Sequence, residues 1–281
     1  MTLAETTHHI RGAVVAFISR SVIVKDGEPK PDFPTILGTG FFVDSRGVVA
    51  TNRHVAEALM AVPGHPESGK SGAAAWIIPP TVKDKDGAVK ATFHFVDVAR
   101  VDYLQNFSSG NERWFGQEVP DLAFVELKVR DVSALTLSDD WDDYAPGTSV
   151  GALGFPMGSP ALKSEGRTVL LGPTLRAGII SATQPVPGVV HGLVLDMMQQ
   201  GGASGSPVFL AAAPRVVGVI WGVFPGTNFT FAVPSHIAKG ALQRYVEKVD
   251  LREADYPTLD ELAGSAFEEW PTSIPFKNVA E

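Results

Sequence analysis

Short apolar runs separated by turn residues occupy most of the chain. Valine-rich stretches of four to eight residues end repeatedly at glycine, proline or aspartate, a pattern typical of β-strands joined by tight turns. The run 38–43, the turn 44–47 and the run 48–51 predict a hairpin. We therefore expect an all-β fold. The other predicted strands lie at residues 13–18, 21–24, 74–78, 91–98, 122–129, 149–153, 174–181, 192–196, 207–210, 216–221 and 228–233.

Helical periodicity follows the last predicted strand. Apolar residues recur at a spacing near 3.6 over residues 235–250, and Ser235 precedes them as a candidate N-cap, so this segment predicts one C-terminal helix. A short helical turn is predicted at residues 55–60. The polar segment that begins the chain, with His8 and His9, predicts no element, and we expect it to be mobile.

Changes in composition divide the chain into parts. A polar and acidic stretch at residues 133–148 separates two β-rich halves, residues 1–132 and 149–234, and is predicted to be a linker. After the helix 235–250, residues 251–281 form a tail with seven acidic and two basic side chains, which holds much of the net charge of −8. This tail either packs across the protein or is partly disordered, or it docks onto a regulatory protein partner or the protein's own cleft.

Charge and cysteine content exclude several classes of function. The net charge is −8, and no stripe of lysine and arginine alternates with aromatic residues, which argues against DNA or RNA as a partner. No apolar stretch approaches the roughly 20 residues of a membrane span, and the first apolar run lacks the basic start of a signal peptide. We expect a cytoplasmic protein, with a secreted or periplasmic one as the alternative. The lack of cysteine excludes disulfides, thiolate metal sites and a cysteine nucleophile.

Residues 201–207, Gly-Gly-Ala-Ser-Gly-Ser-Pro, are the first candidate for chemistry. Glycines let the main chain approach a ligand closely, so the hydroxyl of Ser204 and nearby backbone N–H groups could face one substrate carbonyl. Acyl transfer needs this combination of a nucleophile and an oxyanion hole. On its own, the segment fits an ordinary turn equally well.

A serine nucleophile needs a base, and histidine has a suitable ordinary pKa. Of the seven histidines, His54 differs from the rest because it ends a predicted strand and opens a helical turn. Asp121 is the candidate for orienting that imidazole, although Asp97 and Asp102 also lie between His54 and Ser204 in the chain.

Seven segments, in order along the chain, resemble the trypsin-like serine peptidases, most closely the bacterial HtrA/DegP-like branch. The resemblance extends over about residues 12–250, and the ordered set is far more specific than any one segment. The segments are Gly38-Thr39-Gly40-Phe41-Phe42-Val43, Thr51-Asn52-Arg53-His54-Val55, Asp121-Leu122-Ala123, Gly154-Phe155-Pro156-Met157-Gly158, Gly178-Ile179-Ile180-Ser181, Gly202-Ala203-Ser204-Gly205-Ser206-Pro207 and Phe231-Ala232-Val233-Pro234-Ser235.

The resemblance implies a fold and a set of roles. The fold would be two six-stranded antiparallel Greek-key β-barrels with a C-terminal helix and an active site between the barrels. Ser204 would be the nucleophile, His54 the general base and Asp121 its orienting acid, in the chymotrypsin order His, Asp, Ser. The N–H groups of Gly202 and Ser204 would bind the oxyanion. The neighbouring Ser206 is disfavoured as the nucleophile, and no metal or organic cofactor is implied.

Two departures from the family refine the expectation. Zymogen-activated trypsins place an aspartate before the nucleophile, and here that residue is Ala203, so we expect activity without zymogen cleavage and little effect of removing residues 1–11. HtrA proteases generally carry a PDZ domain after the catalytic domain, and the tail of about 30 residues is too short for one.

The expected substrate is a protein or peptide with an apolar or small residue at the cleaved bond. By the resemblance, the substrate-binding residues are Met198, Ile220, Trp221, Gly222 and Phe229, with no acidic residue at this register, although a shift of two positions would bring in Asp196. The alternatives are a catalytically silent trypsin-fold binding protein and an esterase that uses the same three residues.

Overall fold

Seventeen strands and four α-helices make up the part of the chain that the computed structural model describes. The described residues are 1–19, 35–62, 73–77, 82–83, 89–90, 94–103, 120–156, 163–164, 167–168, 173–186, 189–251 and 256–264. The predicted strand 21–24 lies outside them. Besides the barrels described below, there are two short pairs of strands and one isolated bridge between Arg130 and Thr258: the pairs are β5 (Val82–Lys83) with β6 (Val89–Lys90), and β11 (Lys163–Ser164) with β12 (Arg167–Thr168).

The first barrel closes in the order β1-β2-β3-β8-β7-β4. Every neighbouring pair is antiparallel, and the closing pair is β1 with β4. The core-facing side chains are mostly valine, phenylalanine and alanine, which suit a pleated, buried surface. Its strands are β1 (Val14–Ser19), β2 (Thr35–Asp44), β3 (Val48–Thr51), β4 (Ala73–Ile77), β7 (His94–Tyr103) and β8 (Ala123–Leu127).

The second barrel has the same connectivity. Six strands pair in the ring β10-β13-β14-β17-β16-β15, and a contact of β15 with β16 closes it. Counted within each barrel, the order around the ring is 1-2-3-6-5-4 in both, so the two predicted Greek-key barrels are confirmed. The strands are β10 (Ser149–Gly154), β13 (Thr174–Val186), β14 (Val189–Asp196), β15 (Pro207–Leu210), β16 (Arg215–Val223) and β17 (Phe229–Pro234).

The segment 133–148 between the barrels is structured. It contains β9 (Thr136–Leu137), which pairs in parallel with β16, and a 3-10 helix, Trp141–Tyr144. The phenol of Tyr144 donates to the carbonyl of Ser138 and lies 2.9 Å from the hydroxyl of Ser235, and burial raises its pKa to about 12. The domain boundaries drawn from the sequence stay a prediction.

Both ends of the described chain fold back onto the barrels. The C-terminal helix α3 (Ser235–Lys248) is confirmed, but its N-cap is Pro234, and the hydroxyl of Ser235 instead donates to Ser138. Part of the tail forms α4 (Leu259–Gly264) against the first barrel, where Arg130 donates to the carbonyl of Tyr256. The rest of the tail, residues 252–255 and 265–281, lies outside the described residues.

A helix at the start of the chain is the main element that the sequence pattern missed. α1 (Leu3–Arg11) begins with a capping box in which Thr2 and Glu5 satisfy each other's backbone N–H groups. Ile10 is fully buried, and the hydroxyl of Thr6 donates to the carbonyl of Ala211 in the second barrel. The expectation of a mobile N-terminal segment is therefore wrong, because Thr6 and Ile10 are buried and Leu3 packs against the core, which docks this otherwise polar helix.

The two barrels share one hydrophobic core cluster. This cluster contains side chains of α1, the first barrel and α3, and it continues into the second barrel through Leu153, Phe155, Phe209, Val216 and Val219. A second cluster fills the rest of the second barrel. The junction between the barrels is therefore packed apolar surface, which can hold residues from both barrels at a fixed separation.

Candidate active site

His54 stands where the first barrel ends one strand and begins a helix. β3 ends at Thr51, and α2 (Arg53–Met60) follows, with Asn52 as its N-cap residue in an extended conformation. Val55, Ala56 and Leu59 bury one face of this short helix against the barrel. That packing leaves His54 on the exposed face, where 47% of its side chain is accessible.

Asp121 holds His54 through two hydrogen bonds. Its Oδ2 lies 2.6 Å from the ring Nδ1 of His54, and its Oδ1 accepts from the backbone N–H of His54 at 3.1 Å. The Asn52 side chain donates to the Asp121 backbone carbonyl at 2.8 Å. Hydrogen bonds to both its backbone and its side chain therefore hold Asp121, just before β8, against the start of α2. Only 9% of the Asp121 side chain is accessible.

This geometry determines which ring nitrogen of His54 is free. A carboxylate accepts hydrogen bonds and does not donate them, so Nδ1 of His54 carries the proton in the bond to Asp121. The neutral ring therefore presents the lone pair of Nε2 on its other side. Such an imidazole can accept a proton from a hydroxyl and later return it.

The other two candidate aspartates lie elsewhere. Asp97 forms an ion pair with Lys128, at 3.8 Å between Nζ and Oδ2. Asp102 lies opposite Phe124 in the pairing of β7 with β8, and burial together with the charge of Asp102 raises the pKa of Tyr245. Of the three candidates, only Asp121 is hydrogen-bonded to His54 among the described residues.

Ser204 lies on a loop, residues 200–206, whose conformation depends on two glycines. We call this segment the serine loop. The N–H of Ala203 donates to the carbonyl of Gln200, and Gly202 has a φ of +91°, which is the third position of a type II turn. The N–H of Gly202 belongs to the central peptide of this turn and is not used by the turn's own bond. Gly205 has a φ of +85° and donates its N–H to the carbonyl of Ile220.

The same loop is fastened to the first barrel. The N–H of Thr39 on β2 donates to the carbonyl of Ser204 at 2.8 Å, and the Thr39 hydroxyl donates to the carbonyl of Gly202 at 2.8 Å. A Cβ on the neighbouring Gly38 would meet the side chain of Val55, beside His54, and would lie 3.3 Å from the Ser204 carbonyl oxygen. Gly38 thus lets α2 and the serine loop approach each other closely across β2.

Ser204 and Ser206 differ in exposure. Ser206 is 1% exposed, and its hydroxyl faces Gly154, where it has no hydrogen-bond partner among the described residues. Ser204 is partly exposed. In the described residues no hydrogen bond joins His54 to Ser204, a bond that is often long in structures without substrate.

The predicted substrate-binding residues separate into two groups. Met198 and Phe229 are about half exposed, and Trp221 stacks on Phe231 with ring centroids 5.5 Å apart. Gly222 lies next to Trp221 on β16 and is partly exposed. Ile220 is different: its side chain is buried in the core of the second barrel, and its backbone bonds to Gly205 and Ser206 of the serine loop.

Asp196 also lies near the predicted pocket. It ends β14, is exposed, and faces Phe229 of β17 and Ile179 of β13 across the sheet. The prediction that the pocket lacks an acidic residue therefore depends on the direction of the Asp196 side chain relative to the bound substrate.

Sequence analysis gives no role to two residues of the site, Thr39 and Asn52, although both lie in segments that resemble the peptidase family. Their neighbours in the sequence are only glycine, threonine or arginine. Each side chain instead forms a hydrogen bond to a residue 69 or more positions away in the chain. Their only signal was membership in the segments Gly-Thr-Gly-Phe and Thr-Asn-Arg-His.

Among the described residues, no cluster of three or more His, Asp or Glu side chains could bind a metal ion. No helix in that part of the chain is long and apolar enough to span a membrane.

Solved structures with a similar fold include HtrA-type proteases. HtrA-type protease AlgW with a decapeptide is 18% identical, with a TM-score of 0.54, and the match covers 88% of this chain and 68% of that one. AlgW with a tripeptide is 19% identical, with a TM-score of 0.55 and coverage of 88% and 64%. The serine endoprotease from Yersinia pestis is 18% identical, with a TM-score of 0.52 and coverage of 88% and 68%. The chain thus spans about two thirds of the length of these proteins.

Sequence comparison identifies the family. No curated protein matches the chain at a significant level. Residues 38–219 match the family described as the trypsin-like peptidase domain, and this range includes His54, Asp121 and Ser204. Because the match covers well over half of the sequence, the chain belongs to the family of trypsin-like peptidase domains.

Proposed function

We propose that the protein is a serine endopeptidase that hydrolyses peptide bonds through Ser204, His54 and Asp121. The observation that carries the proposal is the pair of bonds from the Asp121 carboxylate to the ring and backbone of His54, at 2.6 and 3.1 Å. These bonds leave Nε2 as the proton acceptor, which is what an activated serine requires.

The reaction would proceed through an acyl-enzyme. The Ser204 hydroxyl attacks the scissile carbonyl carbon while His54 takes its proton, and His54 then gives this proton to the leaving amine. A water molecule, deprotonated by His54, attacks the ester and releases Ser204. The N–H groups of Gly202 and Ser204, which no described backbone carbonyl accepts, would stabilise the oxyanion of each tetrahedral intermediate.

The edge of β16 offers a place for an extended substrate. β17 pairs along one side of β16 as far as Val223, whereas on the other side the described pairing with β15 ends at Val219. Residues 221–223 therefore have backbone groups on that side that a peptide can bind as an added strand. Two of the similar solved structures contain bound peptides.

We propose an apolar or small residue before the cleaved bond. The exposed side chains of Met198 and Phe229 support this preference, because Met198 follows β14 and Phe229 faces the last residue of β14 across the sheet, so both present apolar surface at the end of the strand that leads to the serine loop. Cleavage of a peptide library tests it, and a strong preference for Lys or Arg would instead assign the pocket to the nearby Asp196.

Activity without zymogen cleavage is part of the proposal. Ala203 is buried and carries no charge to pair with a new N-terminus. A peptidase of this kind needs another restraint, for which the acidic tail 251–281 and a regulatory partner are the candidates. Purified protein that cleaves peptides without prior processing would support this view.

A fluorophosphonate probe tests the proposed function. Such probes react with an activated serine hydroxyl, so the wild type should be labelled, and Ser204→Ala should not. Ser206→Ala is the matched control, since it removes a buried hydroxyl two residues away and should keep the labelling. Labelling that survives in Ser204→Ala contradicts the assignment, and an unlabelled wild type indicates a silent binding protein. Turnover of peptides compared with simple esters then separates the peptidase from an esterase.

A further inference from the structure

Thr39 lies at the point where the first barrel meets the serine loop of the second. It is fully buried on β2, and four hydrogen bonds involve its atoms. Its N–H donates to Ser204 O at 2.8 Å, and its hydroxyl donates to Gly202 O at 2.8 Å. The hydroxyl also accepts from the N–H of Phe155 at 3.1 Å, and the Thr39 carbonyl accepts from the Thr51 hydroxyl at 2.7 Å.

The hydroxyl does something that the backbone of Thr39 cannot do. Any residue except proline at position 39 would keep the bond from its N–H to Ser204, but a side-chain hydroxyl can donate to Gly202 and accept from Phe155 through a single oxygen atom. The Phe155 N–H supplies the hydrogen bond that fixes the hydroxyl's direction. The Thr39 side chain therefore links the first barrel, the end of β10 and the serine loop.

Gly202 needs an external constraint because it is glycine. Its φ of +91° is one of several conformations that glycine adopts with little cost, so the turn alone does not select it. The carbonyl and the N–H of Gly202 belong to successive peptide planes joined by the same φ and ψ angles. Holding the carbonyl against Thr39 restricts those angles and with them the direction of the N–H group.

We propose that the Thr39 hydroxyl is a positioning group that fixes the oxyanion-binding N–H groups of the serine loop from the opposite barrel. This inference rests on the proposed peptidase function and adds to it a residue that never touches the substrate. Because the donors act most strongly on the transition state, their misplacement lowers kcat more than it raises KM.

Three variants separate this role from simple packing. Thr39→Val keeps the shape and removes the hydroxyl, and Thr39→Ser restores the hydroxyl without the methyl group. Thr6→Val is the matched control: Thr6 is another fully buried threonine whose hydroxyl donates to a backbone carbonyl, that of Ala211 at 3.0 Å, outside the candidate site.

The kinetic result expected for Thr39→Val is a fall in kcat of about 10- to 100-fold with KM changed less than about twofold, somewhat milder than the loss of an oxyanion donor itself. The rate of fluorophosphonate labelling should fall in parallel. Thr39→Ser should recover most of the activity, and Thr6→Val should keep the wild-type kcat. A kcat for Thr39→Val within twofold of the wild type, or an equal loss in Thr39→Ser, would overturn the proposal.

Hydrogen exchange gives a readout that does not depend on turnover. Amides of residues 200–206 should exchange faster in Thr39→Val than in the wild type and Thr6→Val, while the amides of α3 stay protected in all three. Unchanged exchange at 200–206 contradicts the positioning role even if the protein proves to have no peptidase activity. Failure of the proposed function would instead appear as an unlabelled wild type or as labelling that persists in Ser204→Ala.

Discussion

At the scale of single residues, each oxygen of the Asp121 carboxylate accepts a different hydrogen bond from His54. Oδ1 accepts from the backbone N–H of His54, which fixes the start of α2, and Oδ2 accepts from the ring, which fixes the tautomer. Removing the charge while keeping the shape therefore acts on the ring more than on the fold.

Asp121→Asn should inactivate the protein without unfolding it. The amide oxygen can still accept from the backbone N–H, which turns the NH2 group toward Nδ1 and leaves the proton on Nε2, where it blocks the general base. We expect kcat to fall on the order of 10⁴-fold. Peptide hydrolysis and fluorophosphonate labelling measure the loss, with Asp97→Asn as a control that removes a surface charge paired with Lys128. Retention of more than a tenth of the activity would assign the orienting role to another group.

Sequence reasoning singles out His54, Asp121 and Ser204 as candidates because each lies within a short segment of characteristic composition. It could not assign a role to Thr39 or Asn52, since their bonds to Gly202 and Asp121 join distant parts of the chain. For the same reason Ile220 was assigned to the pocket, although its side chain faces the core. Whether a strand residue faces a cleft or a core depends on which strands pair with it.

At the scale of elements, the serine loop depends on Gly205, because the atoms around it leave no space for a side chain. A Cβ on Gly205 would collide with the carbonyl oxygen of Thr39 and the hydroxyl of Thr51, in addition to the unfavourable φ of +85°. Gly226, in the turn between β16 and β17, has a similar φ of +79° but open space around it.

The pair of variants Gly205→Ala and Gly226→Ala separates backbone strain from collision. Gly226→Ala should cost about 1–2 kcal/mol of unfolding free energy, the cost of a left-handed conformation in an L-residue. Gly205→Ala adds a clash and should cost about 3–5 kcal/mol together with most of the activity. Urea unfolding and peptide hydrolysis measure the two effects. Equal costs in the two variants would show that the loop relaxes around the new methyl group.

Strands were predictable where alternation and turn residues were clear, as in the hairpin of β2 and β3. The helix α1 was not predictable in this way, because among its nine residues only Thr6 and Ile10 are buried. Its stability comes from docking onto the barrels, which local sequence does not report. The sequence pattern assigns the N-cap of α3 to Ser235 wrongly, because the Ser235 hydroxyl donates to the carbonyl of Ser138 instead of bonding to the helix backbone.

At the scale of the whole molecule, α1 joins the barrels into one unit. Ile10 belongs to the shared core cluster, whereas the neighbouring His9 is exposed. The expectation that residues 1–11 are dispensable therefore has to be divided into an effect on stability and an effect on catalysis.

Ile10→Ala should lower the unfolding free energy by about 2–5 kcal/mol and leave kcat unchanged in the fraction that remains folded. Tryptophan fluorescence and circular dichroism should report one transition, because the shared cluster couples the two barrels. His9→Ala should match the wild type. Two separate transitions in Ile10→Ala, with only one of them displaced, would show that the barrels unfold independently.

The division of the site between the barrels also has a consequence for biosynthesis. His54 and Asp121 meet entirely within the first barrel, which leaves the ribosome before Ser204 has been translated. The serine loop can acquire its bond to Thr39 only after the second barrel has been synthesised. On the proposed roles, a nascent chain holds the general base and its aspartate before it holds the nucleophile, and it can hydrolyse a peptide bond only after the second barrel has folded against the first.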